Sequence, residues 1–384
     1  MRNLMLASAL AILYAMMSGC STIESLNPYS SSATKNKAAE LTAIVPSAEL
    51  KLVWQSSIGD SRGFSFTPAV IDNSLYAGAR DGSLARYDDG RQVWRINVGQ
   101  SLSGGVGSDG KLVVVGTSKG EVLAFDAANG SAAWKTRVNS EVLAAPAVSD
   151  GLVVIRSGDS RIFGFDAADG RRRWVYQRAT PTLSLRSFAG VVVAGRTILS
   201  GFPGGKLVAV GAENGAVLWE ATVALPKGAT ELERISDITS VPVLRGNEVC
   251  AVAYQGRVTC FDLGNGSQLW SREVSSSSGL DMDAKSVYVS DEKGSVLAFD
   301  RSNGSSLWKQ DKLFMRGLSR PLVVGKHLVV GDADGVAHLM NCEDGSFAAR
   351  FGGDGGGIFA DPQRFKDGLV IQTRSGGIFA LSVH

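Results

Sequence analysis

All seven tryptophans of this 384-residue chain fall in one frame, at Trp54, Trp94, Trp134, Trp174, Trp219, Trp270 and Trp308, separated by 40, 40, 40, 45, 51 and 38 residues. A self-similar period near 40 constrains the fold more than any other feature, because it marks one supersecondary unit repeated around or along an axis. The clearest copy is LVVVGTSKGEVLAFDAANGSAAW, Leu112 to Trp134, which returns as SVYVSDEKGSVLAFDRSNGSSLW, Ser286 to Trp308. Two looser copies end at Trp174 and Trp270. Each has two short runs of β-branched and apolar residues around a polar turn. A second turn, Asn-Gly or Asp-Gly, then leads into the tryptophan strand, and such dipeptides accept the positive φ of tight hairpins. Gly is 46 of 384 residues, about 12%, against a usual ~7%. That excess suits many strands joined by tight turns.

A further apolar run precedes each hairpin, as in Ala145-Pro146-Ala147-Val148. Four strands per unit of about 40 residues is the period of a propeller blade, and blades set around an axis bury both faces of each sheet. Eight central hairpins are expected, turning at Asp81-Gly82, Lys119-Gly120, Asp159-Ser160, Gly204-Gly205, Gln255-Gly256, Lys293-Gly294, Asp334-Gly335 and Ser375-Gly376. The eighth hairpin is followed by no tryptophan strand of its own, whereas Trp54, in the run Leu50 to Ile58, precedes the first hairpin. The fold class is therefore all-β: an eight-bladed propeller of four-stranded antiparallel blades over residues 48–384, its ring closed by the N-terminal strand so that no open edge is left. One unit lacks its tryptophan. Ala349 stands where Trp is expected, with Phe347 and Phe351 as alternatives to fill the gap.

Residues 1–19 read as a signal peptide outside the fold. Arg2 supplies the positive start, and Leu4 to Met17 is an apolar run of 14 residues, shorter than the ~20 a membrane-spanning helix needs. Met17-Ser18-Gly19-Cys20 resembles the lipobox of bacterial lipoproteins, with Met17 where Leu is usual. That resemblance implies cleavage before Cys20 and acylation there, including palmitate, and Ser21 implies sorting to the outer membrane. Several acyl chains make such anchoring stable. Residues 20–47, rich in Ser, Ala, Asn and Lys without apolar period, read as the acylated N-terminus and a flexible tether.

The stretch Ala-Phe-Asp-x-x-Asn-Gly-x-x-x-Trp, at Ala124 to Trp134 and Ala298 to Trp308 with a close variant from Gly164 to Trp174, resembles the tryptophan-docking motif of pyrroloquinoline-quinone (PQQ) propellers. In that motif the tryptophans are structural staples between blades. Two families share the repeat: PQQ-dependent dehydrogenases, and the BamB lipoproteins of the outer-membrane β-barrel assembly (BAM) machinery. Length, lipobox and closing strand make the whole chain similar to the BamB family. That resemblance implies a non-catalytic scaffold without cofactor, on the periplasmic face of the outer membrane. It would bind the POTRA domains of BamA and assist protein insertion into the membrane, with unfolded outer-membrane proteins as a further partner.

Insertions in a repeat array map to loops, often on the binding face. The interval of 45 contains Thr182-Leu183-Ser184-Leu185-Arg186, and the interval of 51 contains Glu233 to Thr239. Both fall between an outer strand and the next inner strand, in consecutive connectors, and should be neighbours. The period of two in Leu183 and Leu185 puts both on one side. Beside Arg186 they form an apolar anchor with a charged orienter; the alternative is that they complete the next inner strand. The BamB resemblance implies that Leu183, Leu185, Arg186 and Asp237 contact BamA, with Thr239 where the family often carries a second Asp.

Enzyme readings have less material. Cys20, Cys250, Cys260 and Cys342 include no adjacent pair of the kind found in large PQQ alcohol dehydrogenases, and no Cys-x-x-Cys-His occurs. His327, His338 and His384 lack metal-ligand spacing, and there is no Gly-x-Ser-x-Gly elbow or P-loop. The Gly352 to Gly357 run, without a following Lys, reads as a connector. Net charge is +2, from 39 basic and 37 acidic residues, so nucleic acid is not an expected partner. Cys250 and Cys260 lie on adjacent strands of one hairpin in an oxidising compartment. The turn Gln255-Gly256 puts them about one residue out of register, which leaves a disulfide open.

Overall fold

Residues 37–384 are described by a computed structural model; the signal peptide, Cys20 and the first part of the tether lie outside the described residues. Thirty-two strands form eight four-stranded antiparallel sheets, with no helix among the described residues. Seven blades are consecutive meanders. Blade 3, for example, is Ala147–Ser149, Leu152–Arg156, Arg161–Asp166 and Arg172–Gln177 from the axis outward. Blade 8 takes Gln363–Phe365, Gly368–Gln372 and Gly377–Val383 from the C-terminal part of the chain and its outer strand, Leu50–Ser57, from the N-terminal part. Trp54 pairs with Ala380 as Trp134 pairs with Ala124, so the N-terminal strand completes the last blade in the common register. The inner strands of blades 8 and 1 touch, which closes the ring.

The second and third strands of each blade are buried on both faces; Leu152–Arg156 is buried throughout. Eight apolar clusters result, one at each seam between blades. Tyr76, Leu84 and Trp94 of blade 1, for instance, meet Val113, Leu123 and Phe125 of blade 2. At seven seams an outer-strand indole lies on the turn glycine of the next blade: Trp54 on Gly90, Trp94 on Gly130, Trp134 on Gly170, Trp174 on Gly215, Trp219 on Gly266, Trp270 on Gly304 and Trp308 on Gly345. Gly170 has φ 72°, and a Cβ there would lie 2.5 Å from the Trp134 ring. Both conditions demand glycine. In the equivalent turn of blade 2, which carries Gly130, the motif's Asp126 accepts the Ala128 and Asn129 N–H groups, and Asn129 accepts that of Ser131. Six indoles also donate Nε1–H to the carbonyl three residues before the glycine, at 2.7–3.0 Å.

Trp54 is the exception. Blade 1 closes with a two-residue turn, Asp89-Gly90, at φ 49° and 81°. The longer turn that offers a carbonyl elsewhere is absent, and Trp54 Nε1 is buried without a hydrogen-bond partner.

The seam between blades 7 and 8 has no tryptophan. Ala349 takes the register position, opposite Leu339. The reason lies in the next blade, whose third and outer strands come from opposite parts of the chain, so no hairpin glycine exists to receive an indole. Glu49 and His384 exchange backbone hydrogen bonds there instead. Phe351 packs edge-on against Phe379 across this seam, at 5.6 Å between ring centres, while Phe347 faces the blade 6 side with Trp308. Residues 39–47, read above as the end of a flexible tether, are laid along blade 7. Ala39 and Ser47 donate N–H to the Phe314 and Ala348 carbonyls, and Leu41 and Ala48 pack on the clusters either side. Isolated backbone bonds of this kind leave no mark in a segment without apolar period.

A buried polar cluster holds that strap. Arg316 donates to the Ala39 carbonyl at 3.0 Å and to Asp332 and Asp334 at 2.7 Å each. Arg350 donates to the Thr42 carbonyl and, at 3.3 Å, to His338 Nδ1. His338 Nε2 lies 2.9 Å from Asp332. This network assigns a neutral imidazole with its proton on Nε2. Burial pushes the His338 pKa below its ordinary value against the pull of Asp332, and Arg350 and Arg316 add to the depression. Burial alone would raise the Asp332 pKa, but hydrogen bonds from His338, the Val336 N–H and Arg316 hold it below the usual carboxylate range.

One expectation fails in register. Cys250 and Cys260 are directly opposed, at 4.1 Å between Cα atoms, and joined by a disulfide. Val252 pairs with Val258 and the turn is centred on Gln255, at φ 47°, so it spans three residues instead of two.

Two outcomes follow for stability. Trp270→Phe leaves the Arg301 carbonyl without its donor, whereas Trp54→Phe removes a donor that has no acceptor; urea denaturation should find the former about 1 kcal/mol more costly. Both His338 and Asp332 have folded pKa values below their unfolded ones, so the unfolded chain binds more protons as pH falls below about 6.5. The thermal midpoint should drop between pH 7.5 and 5.5, and His338→Gln should flatten that drop. An unchanged slope in the variant would assign the pH dependence elsewhere.

Candidate partner-binding surface

The turns between second and third strands and the connectors from outer to inner strands share one face of the ring. Val138, Val223 and Val274, each just past an outer strand, donate N–H to Gly120, Gly205 and Gly256 of those turns. The two inserted connectors, residues 178–190 and 223–242, therefore emerge together between blades 3, 4 and 5.

Residues 183–186 form no strand; the inner strand of blade 4 starts at Val191. Leu183 is 42% exposed, Leu185 is half-buried and Arg186 is exposed, so the two leucines do not present equally. Arg186 is held on two sides. It makes a bidentate pair with Glu141 of the blade 2–3 connector, at 2.9 and 2.8 Å, and its guanidinium carbon lies 5.3 Å from the centre of the Phe64 ring. The hydrogen bond it donates to Glu141 raises its pKa further, so the group stays charged.

Asp237 is only 2% exposed. Its Oδ2 accepts the Leu185 N–H at 2.7 Å, its Oδ1 accepts the Gly204 N–H at 3.0 Å, and its carbonyl accepts the Tyr254 N–H at 2.8 Å. One side chain thus joins both inserted connectors to the blade 4 turn. The carboxylate faces its own backbone donors, not solvent. Thr239 donates to the Ser277 carbonyl at 3.0 Å, tying the second connector to the next one.

Sequence reasoning missed Leu225 and Leu232, on the second connector, at 64% and 67% exposed. The long interval marked their loop, but without a period nothing separated outward from inward leucines. The turn carrying Leu232 is braced. Glu233 accepts the Ala229 and Thr230 N–H groups, and Thr230 Oγ1 accepts that of Glu233. These bonds hold the Glu233 pKa below its ordinary value. Residues 183–186 and 225–232 together offer apolar side chains on fixed backbone, with one oriented guanidinium. This is the composition of a protein-docking patch.

Toward the axis, a cavity of about 440 Å³ opens on the same face, lined by Phe64, Phe188, Phe359, Arg320, Asp361 and Arg374. Burial raises the Asp361 pKa, against Arg320 3.4 Å away. The group of Glu248, Cys250 and Cys260 has the proximity of a metal site, but it lies within blade 5 and its sulfurs are bonded to each other.

A family profile described as "Outer membrane protein assembly factor BamB" matches residues 80–310. A protein of that name from Nitrosomonas eutropha is 44% identical over 348 residues, 90% of this chain and 85% of that one. The crystal structure of BamB from Moraxella catarrhalis superposes with a TM-score of 0.81 at 29% identity, covering 87% of this chain and all of that one. A quinohemoprotein alcohol dehydrogenase from Comamonas testosteroni superposes with a TM-score of 0.70 at 14% identity, over 86% of this chain and 76% of that one, a likeness of fold alone.

In protein whose Cys20 is acylated or removed, denaturation without reductant should expose one titratable thiol, Cys342, and reduction should raise the count to three. Three thiols before reduction would mean that the blade 5 bridge does not form.

Proposed function

The chain belongs to the BamB family of outer membrane protein assembly factors, and from that premise we propose that it is a scaffold whose connector face holds the POTRA domains of BamA while outer-membrane proteins are folded and inserted. Cys20, acylated, keeps it on the periplasmic side of the outer membrane. The observation that carries the docking site is the exposed Leu183 on a connector whose backbone is pinned at Leu185 by buried Asp237. Leu183 supplies the apolar anchor. Arg186, already oriented by Glu141 and Phe64, supplies a charge whose entropy of ordering is largely spent before the partner arrives. Asp237 acts through the loop it holds, because both of its oxygens are engaged.

A quinone-dependent dehydrogenase is the enzyme alternative. It draws on the shared repeat and on a fold likeness at 14% identity, which extends to no chemistry. The assembly reading draws on relatives matched over most of their length.

The test is capture of BamA by Leu183→Ala, Arg186→Ala protein whose circular dichroism matches the parent. Loss of an apolar anchor and a central Arg should weaken binding by about tenfold or more. Undiminished capture would place the contact elsewhere on the molecule.

A further inference from the structure

Beneath the inserted loop lies a buried charge. Arg156 closes the second strand of blade 3 and is 8% exposed. Its Nη1 donates to the Ala189 carbonyl at 2.7 Å, and its guanidinium carbon lies 5.2 Å from the centre of the Phe202 ring of blade 4. Its Nε is buried with no acceptor. A cavity of about 30 Å³ separates it from Glu141, Ser184, Leu185 and Arg186.

This is an expensive arrangement. Burial pulls the Arg156 pKa down to about 10, and Asp237 restores part of it through its charge. Arg178 brings a second guanidinium to the same Phe202 ring, at 5.5 Å. An apolar side chain of similar volume would serve the core as well or better. What an apolar residue cannot do is hold the Ala189 carbonyl.

The loop from Leu185 to Ala189 is thus gripped at both ends. Asp237 takes the N–H at its start and Arg156 takes the carbonyl at its finish. The two grips attract one another, and they come from different places, Arg156 from blade 3 and Asp237 from the connector between blades 4 and 5. We infer that Arg156 is a positioning residue of the docking surface, setting with Asp237 the backbone geometry in which Leu183 and Arg186 are presented. This rests on the BamA-docking reading given above and extends it to a residue that the partner never touches.

The test pairs loop dynamics with binding in the full-length protein. Arg156→Met removes the charge and the hydrogen bond while keeping most of the volume. It should leave the thermal midpoint within a few degrees of the parent, speed amide exchange at Leu185–Ala189 at least tenfold, and weaken BamA binding about tenfold. Arg156→Lys, which still offers a cation to Ala189, should restore much of both. Adding Asp237→Asn to Arg156→Met should weaken binding by much less than the product of the two single effects. Should Arg156→Met not fold, Arg156→Gln reads the same quantities.

Parent-like exchange in the neutral variant would overturn the grip, and faster exchange with parent-like binding would overturn its role in docking. The Leu183→Ala, Arg186→Ala protein is measured alongside. If that protein binds normally, the docking reading fails, and with it the role of Arg156 in docking, while the exchange data still decide the grip. If it loses binding and Arg156→Met does not, only the positioning role falls.

Discussion

The structure depends on an indole lying flat on a glycine turn of the neighbouring blade. A four-stranded sheet of this size leaves both faces apolar and cannot be stable alone, so each blade exists only because its neighbours cover it. Apolar burial between blades is non-directional, and by itself it would allow blades to slide or rotate on one another. The indole removes that freedom. Its ring requires a residue without Cβ, and its N–H requires a carbonyl at one place in the turn, so six seams share one relative placement of blades.

The same geometry explains where the pattern lapses. An indole needs a hairpin turn to land on, and blade 8 is assembled from two parts of the chain. At that seam the turn is replaced by paired backbone from Glu49 and His384. Alanine at position 349 follows from the absence of a receptor, and the residues just before the closing strand take over. They are held by Arg316 and Arg350 through their Ala39 and Thr42 carbonyls, and the guanidiniums are joined through Asp332 and His338. Directional bonds thus do at one seam what aromatic area does at the others.

Repetition made the ring legible, because the tryptophans recur in one frame and four of the units, ending at Trp134, Trp174, Trp270 and Trp308, place aspartate and glycine at the same offsets before them. Features that occur once were not. Whether Gln255 centres a three-residue turn or flanks a two-residue one is decided by its positive φ, which the dipeptide Gln-Gly does not reveal, so the Cys250–Cys260 pairing was set one residue off. Asp237 looks like a solvent-facing charge in a polar loop, since its acceptors' donors, Leu185 and Gly204, lie 52 and 33 residues away. Arg156 carried no signal at all; it reads as one more polar residue at a strand end. The inserted loop stood out through its excess length, but the groups that hold it come from elsewhere in the ring.

That division has a consequence for recognition. The atoms around Leu183 and Arg186 are fixed by Arg156 of blade 3, the Gly204 turn of blade 4, Asp237 of the connector to blade 5, Glu141 from the connector to blade 3 and Phe64 from the connector into blade 1. No single blade contains this surface. Under the docking proposal, a partner at this surface would read the relative position of at least three blades, and would therefore bind a closed ring in preference to an open or half-folded one. The indoles seat on the turns between third and outer strands, yet through blade placement they govern the geometry of the connector face.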